Sequence, residues 1–452
     1  MVRLRALGRG SGARARRLRD RRERRPRRRG GGARRDARLR KALRHQGARS
    51  RGGEDGLIAE AGRSRRPFAG ARRADAFPFS GIVRNLDWVL LGAVAALVGY
   101  GLWAIAGITR FDVPGDPGAA VRRQGMAAAV GAVCLIAMLW IPTDLWRRHW
   151  RLVYGGTIAV MFFVFAFESA IRGSKRWIEL GPFQFQPSEF GKLFFVLALA
   201  GFLVDRRGRI SLLAVVSTVL LATVPIGLVF LQPDLGTALV YVAGLAAVLF
   251  VVGTRWRVLA AVGAAALVLV VSVVWLLPAG GIQILKPYQV ERLTGFADAS
   301  SDPGGTTYNV NQSITAVGAG GFSGRGVDEA SQTRLFYLPE HDTDFVFASF
   351  SEQRGFLGAS LLLLLYLLVI WRGLRIVTVA GDLFGAVVAG GIVFSFTFQV
   401  FVNVGMTMGI APVTGIPLPF VTVGGSSMVA NLLAVGVLLA IHARGRAGRW
   451  FR

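Results

Sequence analysis

A chain of 452 residues that is 53% hydrophobic and carries a formal charge of +28 places its apolar residues in long blocks, the pattern of a polytopic membrane protein and not of a water-soluble core. Residues 1–75 hold 27 Lys and Arg against 7 Asp and Glu, leaving only +8 on the rest of the chain. A nucleic-acid partner thereby loses its main argument, because the residual bias is what the cytoplasmic loops of a membrane protein carry anyway.

The stretch "RRERRPRRRGGGARR" (21–35) has no apolar periodicity and no hydrophobic signal core with a small-residue cleavage site. Residues 1–84 are therefore expected to be a disordered, Arg-rich cytoplasmic tail. Two origins stay open for it: a polybasic segment drawn to anionic lipid, or a start codon assigned too far upstream. The single cysteine, Cys134, sits in an apolar run and excludes an internal disulfide framework.

Ten windows approach the ~20 apolar residues that a span requires. They run from 87 to 107, 124 to 142, 150 to 169, 187 to 204, 210 to 231, 236 to 253, 256 to 278, 345 to 371, 383 to 408 and 425 to 442. An even number puts both termini on one side. The Arg-rich tail, Arg444, Arg446, Arg449 and the short tail 446–452 make that side the cytoplasm, and Arg147, Arg148, Arg151, Arg206, Arg255, Arg257, Arg372 and Arg375 fall on it too. The fold expected is all-α, with a large extracytoplasmic loop, residues 279–344, between spans 7 and 8. That loop exceeds ordinary connection lengths and is either functional or partly ordered.

Two exported segments carry cations against the bias: "IRGSKRW" (171–177), and the long loop with Lys286, Arg292, Arg325 and Arg334. Loop cations are often merely tolerated, but a topology exception also marks a place where charge has a task. The glycine-rich "VGAGGFSGRG" (317–326) lacks the Gly-Lys-Ser/Thr ending of a phosphate loop and is not read as one. "NQS" (311–313) matches a glycosylation sequon by spacing alone.

The fourth window begins "QPSEFGKLFFVLALAGFLV" (186–204), with Pro187 where a first helical residue tolerates a missing donor. Glu189 and Lys192, three apart, share one helix face. They form either a structural ion pair or part of a water-filled cavity, because a lone charge at that depth is costly. Asp234 in "LQPDLGTA" (231–238) and Asp344 in "LPEHDTDFVF" (338–347) also open spans from the outer side. With Arg176 these groups suit an anionic, sugar-bearing lipid: cations hold a pyrophosphate, and a carboxylate takes the proton of an attacking hydroxyl.

Five stretches in order, "RGSKRWIELGPFQFQPSEFGK" (172–192), "QPDLGTA" (232–238), "KPYQVERL" (286–293), "YNVNQSITAVGAGGFSGRG" (308–326) with "LPEHDTDFVFASFSEQRGFLG" (338–358), and "PVTGIPLPFVTVGGSS" (412–427), make residues 85–445 resemble the shape, elongation, division and sporulation (SEDS) glycosyltransferases. The likeness is closer to the rod-shape (RodA) branch than to the division (FtsW) branch. It implies an enzyme that polymerises lipid II into glycan strands during elongation, with polyprenyl pyrophosphate leaving. It makes Asp344 the essential carboxylate and Glu189, Lys192, Arg176, Trp177, Asp234 and Glu340 substrate-binding residues. The partners implied are a class B penicillin-binding protein and other elongation-complex proteins, and the location is the bacterial plasma membrane.

The chain departs from the family pattern at "PEHDTDF", where His341 stands one position early and Asp342 takes the expected His position. "EQRG" (352–355) and Thr422, Val423, Gly424, Gly425 and Ser426 are further departures. Asp344 serves either as general base, its pKa raised by Glu340 and Asp342, or as ligand to a divalent cation, Mg²⁺ or Mn²⁺; no organic cofactor is expected. Two other classes remain. A lipid or proton carrier also fits ten spans with intramembrane charge, although no internal repeat supports it, and a structural scaffold leaves the outer charges without purpose.

Overall fold

A computed structural model of the chain describes residues 79–167, 178–180, 183–206, 210–283, 285, 289–290 and 306–449. Residues 1–78, Arg176, Trp177, Lys286 and Arg292 lie outside the described residues. The protein is a helical, multi-pass membrane protein. Its elements are α1 (Trp88–Ile108), α2 (Ala119–Trp140), α3 (Trp150–Phe167), the strands β1 (Ile178–Leu180) and β2 (Phe183–Phe185), α4 (Pro187–Val204), α5 (Leu212–Leu231), α6 (Leu235–Val251), α7 (Trp256–Ala279), α8 (Thr306–Ala319), α9 (Val346–Val379), α10 (Leu383–Thr407) and α11 (Gly425–Arg449). Eight of these are long and apolar enough to cross a membrane, and α3 and α6 are shorter apolar helices of the same course. Each of the ten expected windows holds a helix over most of its described residues.

Four of the spans, α1, α5, α6 and α10, start at a side chain that accepts from an orphan amide of the first turn. Asp87, Ser211, Asp234 and Asp382 accept from Leu90 N, Ala214 N, Thr237 N and Gly385 N at 2.9 to 3.1 Å. Pro187 opens α4, where its missing N–H costs nothing. The bundle centre is α11, whose apolar window is fully buried, with α4 and α10 beside it, whereas α7 is almost entirely exposed to lipid. α11 lies along α2, α10 along α6 and α9, α9 along α1, and α4 between α3 and α6. The connections alternate between two ends. One end is rich in loops and gathers 109–118, 178–180, 183–186, 232–234, 280–283, 320–345 and 408–424; the opposite end has short links.

At the opposite end a buried ion pair ties α9 to α1. The Arg372 guanidinium donates through Nε to both Asp87 oxygens at 3.1 Å and through Nη2 to Oδ2 at 2.6 Å. Asp87 also caps α1, so its charge is neutralised and its lone pairs are used, the condition under which a buried pair is tolerated.

Four features go beyond the reading of the sequence. The segment between α3 and α4 contains an antiparallel hairpin, Ile178 paired with Phe185. The long connection is not a bare loop: α8 lies within it and packs on α9 and α10. The last residues of the expected tail, Phe79–Arg84, form a short helix against α11. Finally, α9 is two helices joined at Gly355, which adopts φ 63° and ψ −165°, so the eighth span begins about three turns beyond the expected start. The glycine-rich stretch accounts for the break. Arg325 N and Gly326 N donate to Glu352 O and Gln353 O at 3.0 Å, and Phe356 N and Leu357 N donate back to Gly321 O and Phe322 O at 2.9 and 3.1 Å. The stretch threads through the gap in α9 backbone against backbone. A Cβ on Gly355 would fall onto Gly324 N, and one on Gly320 onto Ser351 O.

Gly355→Ala combines a left-handed backbone with this overlap and is expected to cost about 1–3 kcal/mol or more. Thermal unfolding in detergent should show a clear drop in midpoint against wild type, and an unchanged midpoint would contradict the interlock.

Candidate active site

Asp344 closes a tight loop, 340–345, just before α9. Glu340 sits at φ 52°, which turns the chain so that its carbonyl accepts from Thr343 N at 3.3 Å and Phe345 N at 3.1 Å. Its own carboxylate accepts from Thr343 Oγ1 at 2.7 Å. Glu340 is therefore exposed and engaged within its own turn.

The main chain of the loop is stitched to the segment between α10 and α11. Val423 N donates to Asp342 O at 3.1 Å, Thr422 Oγ1 to Thr343 O at 3.1 Å, and Asn403 Nδ2 to both Asp344 O at 3.0 Å and Ile416 O at 2.8 Å. Asn403 is fully buried on α10. Gly415, at φ 70°, lies beside the Asp344 carboxylate: a Cβ there would stand 3.3 Å from Oδ2. Gln124 of α2 holds the far side of the same segment, donating to Thr422 O and accepting from Gly424 N, both at 3.0 Å.

The contacts continue to the other expected residues. A Cβ on Gly236, in the first turn of α6, would fall onto Thr414 O. Two residues earlier, Asp234 caps α6 through Oδ1 and accepts from Gln186 Nε2 through Oδ2 at 3.1 Å. Gln186 N in turn donates to Ser426 Oγ at 3.0 Å, and Ser426 Oγ donates to Gln184 O. Glu189 and Lys192 form a buried bidentate pair, with Nζ 2.9 and 2.8 Å from the two carboxylate oxygens and 3.0 Å from Gln399 Oε1. Of the two readings open for this pair, it neutralises itself within the bundle. Tyr241 lies in the fields of both Glu189 and Asp234 and donates to Ser188 O at 3.0 Å. Asp344, Asp234, Glu189, Lys192 and Glu340 thus all stand at the loop-rich end, while Arg176 and Trp177 fall outside the described residues.

Three residues of the site carried no expectation. Gln124 and Asn403 are the brackets just described. Glu352 is fully buried, and its carboxylate accepts from Gln332 N at 2.9 Å, Thr333 N at 3.0 Å and Thr333 Oγ1 at 2.8 Å. It fixes the arm that leads into the Asp344 loop. A buried carboxylate satisfied by three donors is stable without a cation.

The loop is also electrostatically crowded. Burial pushes the Asp342 carboxyl above its usual range; His341 pulls it back, and Asp112 and Glu340 add to the rise. For His341 burial acts downward, but the hydrogen bond to Asp112 at 3.0 Å and the charges of Asp112 and Asp342 outweigh it and raise the pKa. Among the described residues no three His, Cys, Asp or Glu side chains converge as a metal cage. The donor set at Asp344 therefore suits only an ion of the Mg²⁺ type that takes one or two carboxylates and completes its shell with water and substrate phosphate.

Because the folded His341 binds its proton more tightly than the unfolded chain does, its contribution to stability is complete below the ordinary His pKa of about 6.5. It is lost as pH rises through the raised folded value. Hydrogen exchange at Val423 N, corrected for its intrinsic rate, should accelerate from pH 6 to pH 8.5; slower exchange over that interval would contradict the sign.

The sequence pattern of the FtsW/RodA/SpoVE family, described as cell cycle proteins, matches residues 85–447. The chain is 36% identical over 361 residues to the peptidoglycan glycosyltransferase MrdB of Escherichia coli strain K12, covering 79% of this chain and 94% of MrdB. It is 35% identical over 371 residues to the stage V sporulation protein E of Bacillus subtilis strain 168, covering 79% and 95%. Among solved structures it resembles a chain of a peptidoglycan synthase complex that coordinates polymerization and crosslinking (31% identity, TM-score 0.68, 80% and 98% covered). It also resembles the rod shape determining protein RodA of Thermus thermophilus (29%, TM-score 0.58, 79% and 96%). A bundle of ten apolar helices with these residues at its loop-rich end, matched over nearly the whole of its relatives, belongs to the FtsW/RodA/SpoVE family.

Proposed function

We propose that this chain is a peptidoglycan glycosyltransferase that polymerises lipid II, with Asp344 as general base. The observation that carries the reading is the mounting of Asp344: its carbonyl is pinned by the buried Asn403, and its carboxylate stands against Gly415 at the end of the bundle where Asp234, Glu189 and Lys192 also gather. The Arg-rich short links, with Arg147, Arg148, Arg255 and Arg257, face the cytoplasm by the charge bias of loops. The loop-rich end is then extracytoplasmic, at the level where the sugars and pyrophosphate of a lipid-linked donor lie while its tail stays in the bilayer.

In the reaction, the 4-hydroxyl of an acceptor GlcNAc attacks the anomeric carbon of the donor MurNAc. The proton passes to Asp344, the bond to the pyrophosphate oxygen breaks, and polyprenyl pyrophosphate departs with inversion at carbon. General-base help of this kind contributes about 10²- to 10⁴-fold. Lys192 is occupied by Glu189 and Gln399, so pyrophosphate charge falls to Arg176 and the loop cations; in the alternative in which Asp344 is a ligand and not the base, it would hold a Mg²⁺ or Mn²⁺ ion that would supply that charge. Glu340, exposed at the rim, contacts sugar hydroxyls, while the buried Asp234 holds α6 and Gln186 beneath it.

Elongation rather than division is the biological setting we favour, on the closer resemblance to the rod-shape branch. A class B penicillin-binding protein is the expected transpeptidase partner, a reading supported by the likeness to a chain of a synthase complex that both polymerises and crosslinks.

Purified protein given labelled lipid II should build polymer, and Asp344→Ala should lower the rate by about 10³-fold or more while the protein still accumulates folded in membranes. Polymer at the wild-type rate from that variant would remove the assignment, and transport of lipid II without polymer would favour the carrier. Depletion in cells should give round cells; filaments would assign the chain to division.

A further inference from the structure

His341 has no role in the chemistry just described, yet it is the most deeply placed side chain of the 340–345 loop apart from Phe345. Only 8% of it is exposed. Its Nε2 lies 3.0 Å from Asp112 Oδ1, 229 residues away in the connection between α1 and α2. Its ring meets Phe336 edge to face at 5.5 Å. The charged groups that face it are Asp112 from the α1–α2 connection and, on its own loop, Asp342, with Glu340 acting on Asp342. The cations of the region are committed elsewhere: Arg110 and Arg334 lie over the Phe111 ring at 5.8 and 5.3 Å, and Arg110 reaches Asp328 at 3.6 Å.

The loop is therefore suspended between two supports. Its main chain hangs from Asn403, Thr422 and Val423. Its side-chain anchor toward α1 and α2 is His341. Since Phe345 N and Thr343 N both return to Glu340 O, the turn is closed, and a shift at His341 is carried to Asp344 three residues on.

We propose that His341 is a positioning residue for glycosyl transfer: through Asp112 it anchors the Asp344 loop to the α1–α2 connection and so sets where the Asp344 carboxylate stands. The inference rests on Asp344 being the base. Because His341 touches the loop and not the substrate, its loss acts on turnover rather than on binding, and a displacement of about 1 Å is worth up to about 10²-fold in rate.

The test is a double-mutant cycle on the full chain reconstituted in membranes, with its transpeptidase partner where activity requires one, and labelled lipid II as substrate. His341→Ala and Asp112→Ala should each lower kcat about tenfold with KM within about twofold. The double variant should be no slower than the worse single, and the exchange of His341→Asp with Asp112→His should recover most of the rate. His341→Gln, which keeps a donor for Asp112, serves where the alanine variant does not fold, and it should be faster than His341→Ala wherever both fold. Full activity in both single variants, losses that simply multiply in the double variant, or an exchange no better than the alanines would overturn the proposal. If the His341 variants are unaffected while Asp344→Ala is dead, only the positioning role falls. If Asp344→Ala is active, the base assignment falls with it.

Discussion

A helix of 34 residues is ~51 Å long at ~1.5 Å per residue, while the hydrocarbon of a bilayer is only ~30 Å thick. α9 has that length, and it fits only because it breaks at Gly355 and lets the glycine stretch 320–326 pass through. Beyond the break the helix can span. Before it, residues 346–354 carry Ser349, Ser351, Glu352 and Gln353, all buried, at the head of the bundle rather than in lipid. Ser351 donates to Phe347 O and Glu352 accepts from three donors, whereas Ser349 Oγ and Gln353 Oε1 have no hydrogen-bond partner among the described residues. The break is thus what brings the Asp344 loop to the end of the bundle and keeps it there.

From this constraint the character of the site follows. Asp344 is mounted through its main chain: its carbonyl accepts from the Asn403 side chain, and the carbonyls of Thr343 and Asp342 accept from the Thr422 hydroxyl and from Val423 N. The side chains that surround it are largely committed to one another: Glu189 to Lys192, Asp234 to Gln186 and α6, Glu340 to Thr343. A preorganised frame of this kind needs little reorganisation when charge develops. The crowding of titratable groups in one short stretch has the same origin. His341 and Asp342 serve the loop's attachment and Glu340 serves its turn, beside the carboxylate of Asp344 that we propose as the base.

The spans were legible because an apolar block of ~20 residues matches the thickness of hydrocarbon and is too long for a strand, and even α3 and α6, at the short end of that range, stood out from their flanks. Pro187 and Asp234 announced helix starts by their chemistry. Asp344 was legible only through resemblance, since a lone Asp before an apolar run is also an ordinary helix cap. The break at Gly355 was not readable: "GFLGASLLLLL" continues the apolar run, and nothing local says that 320–326 will occupy the gap. Gln124 and Asn403 offered a signal, an amide set in a largely apolar helix, but their partners lie 298 to 300 residues away for Gln124 and 59 for the Asp344 carbonyl. The Asp112 contact of His341 was hidden for the same reason.

The central claim is that the position of one carboxylate, held by its backbone, makes this bundle an enzyme. The direct measurement is the polymerisation rate of Asp344→Glu, which keeps charge and acidity and moves the oxygens outward by one methylene. A fall of about 10²-fold, with lipid II binding preserved, is the outcome the account predicts; a rate equal to that of wild type would contradict it.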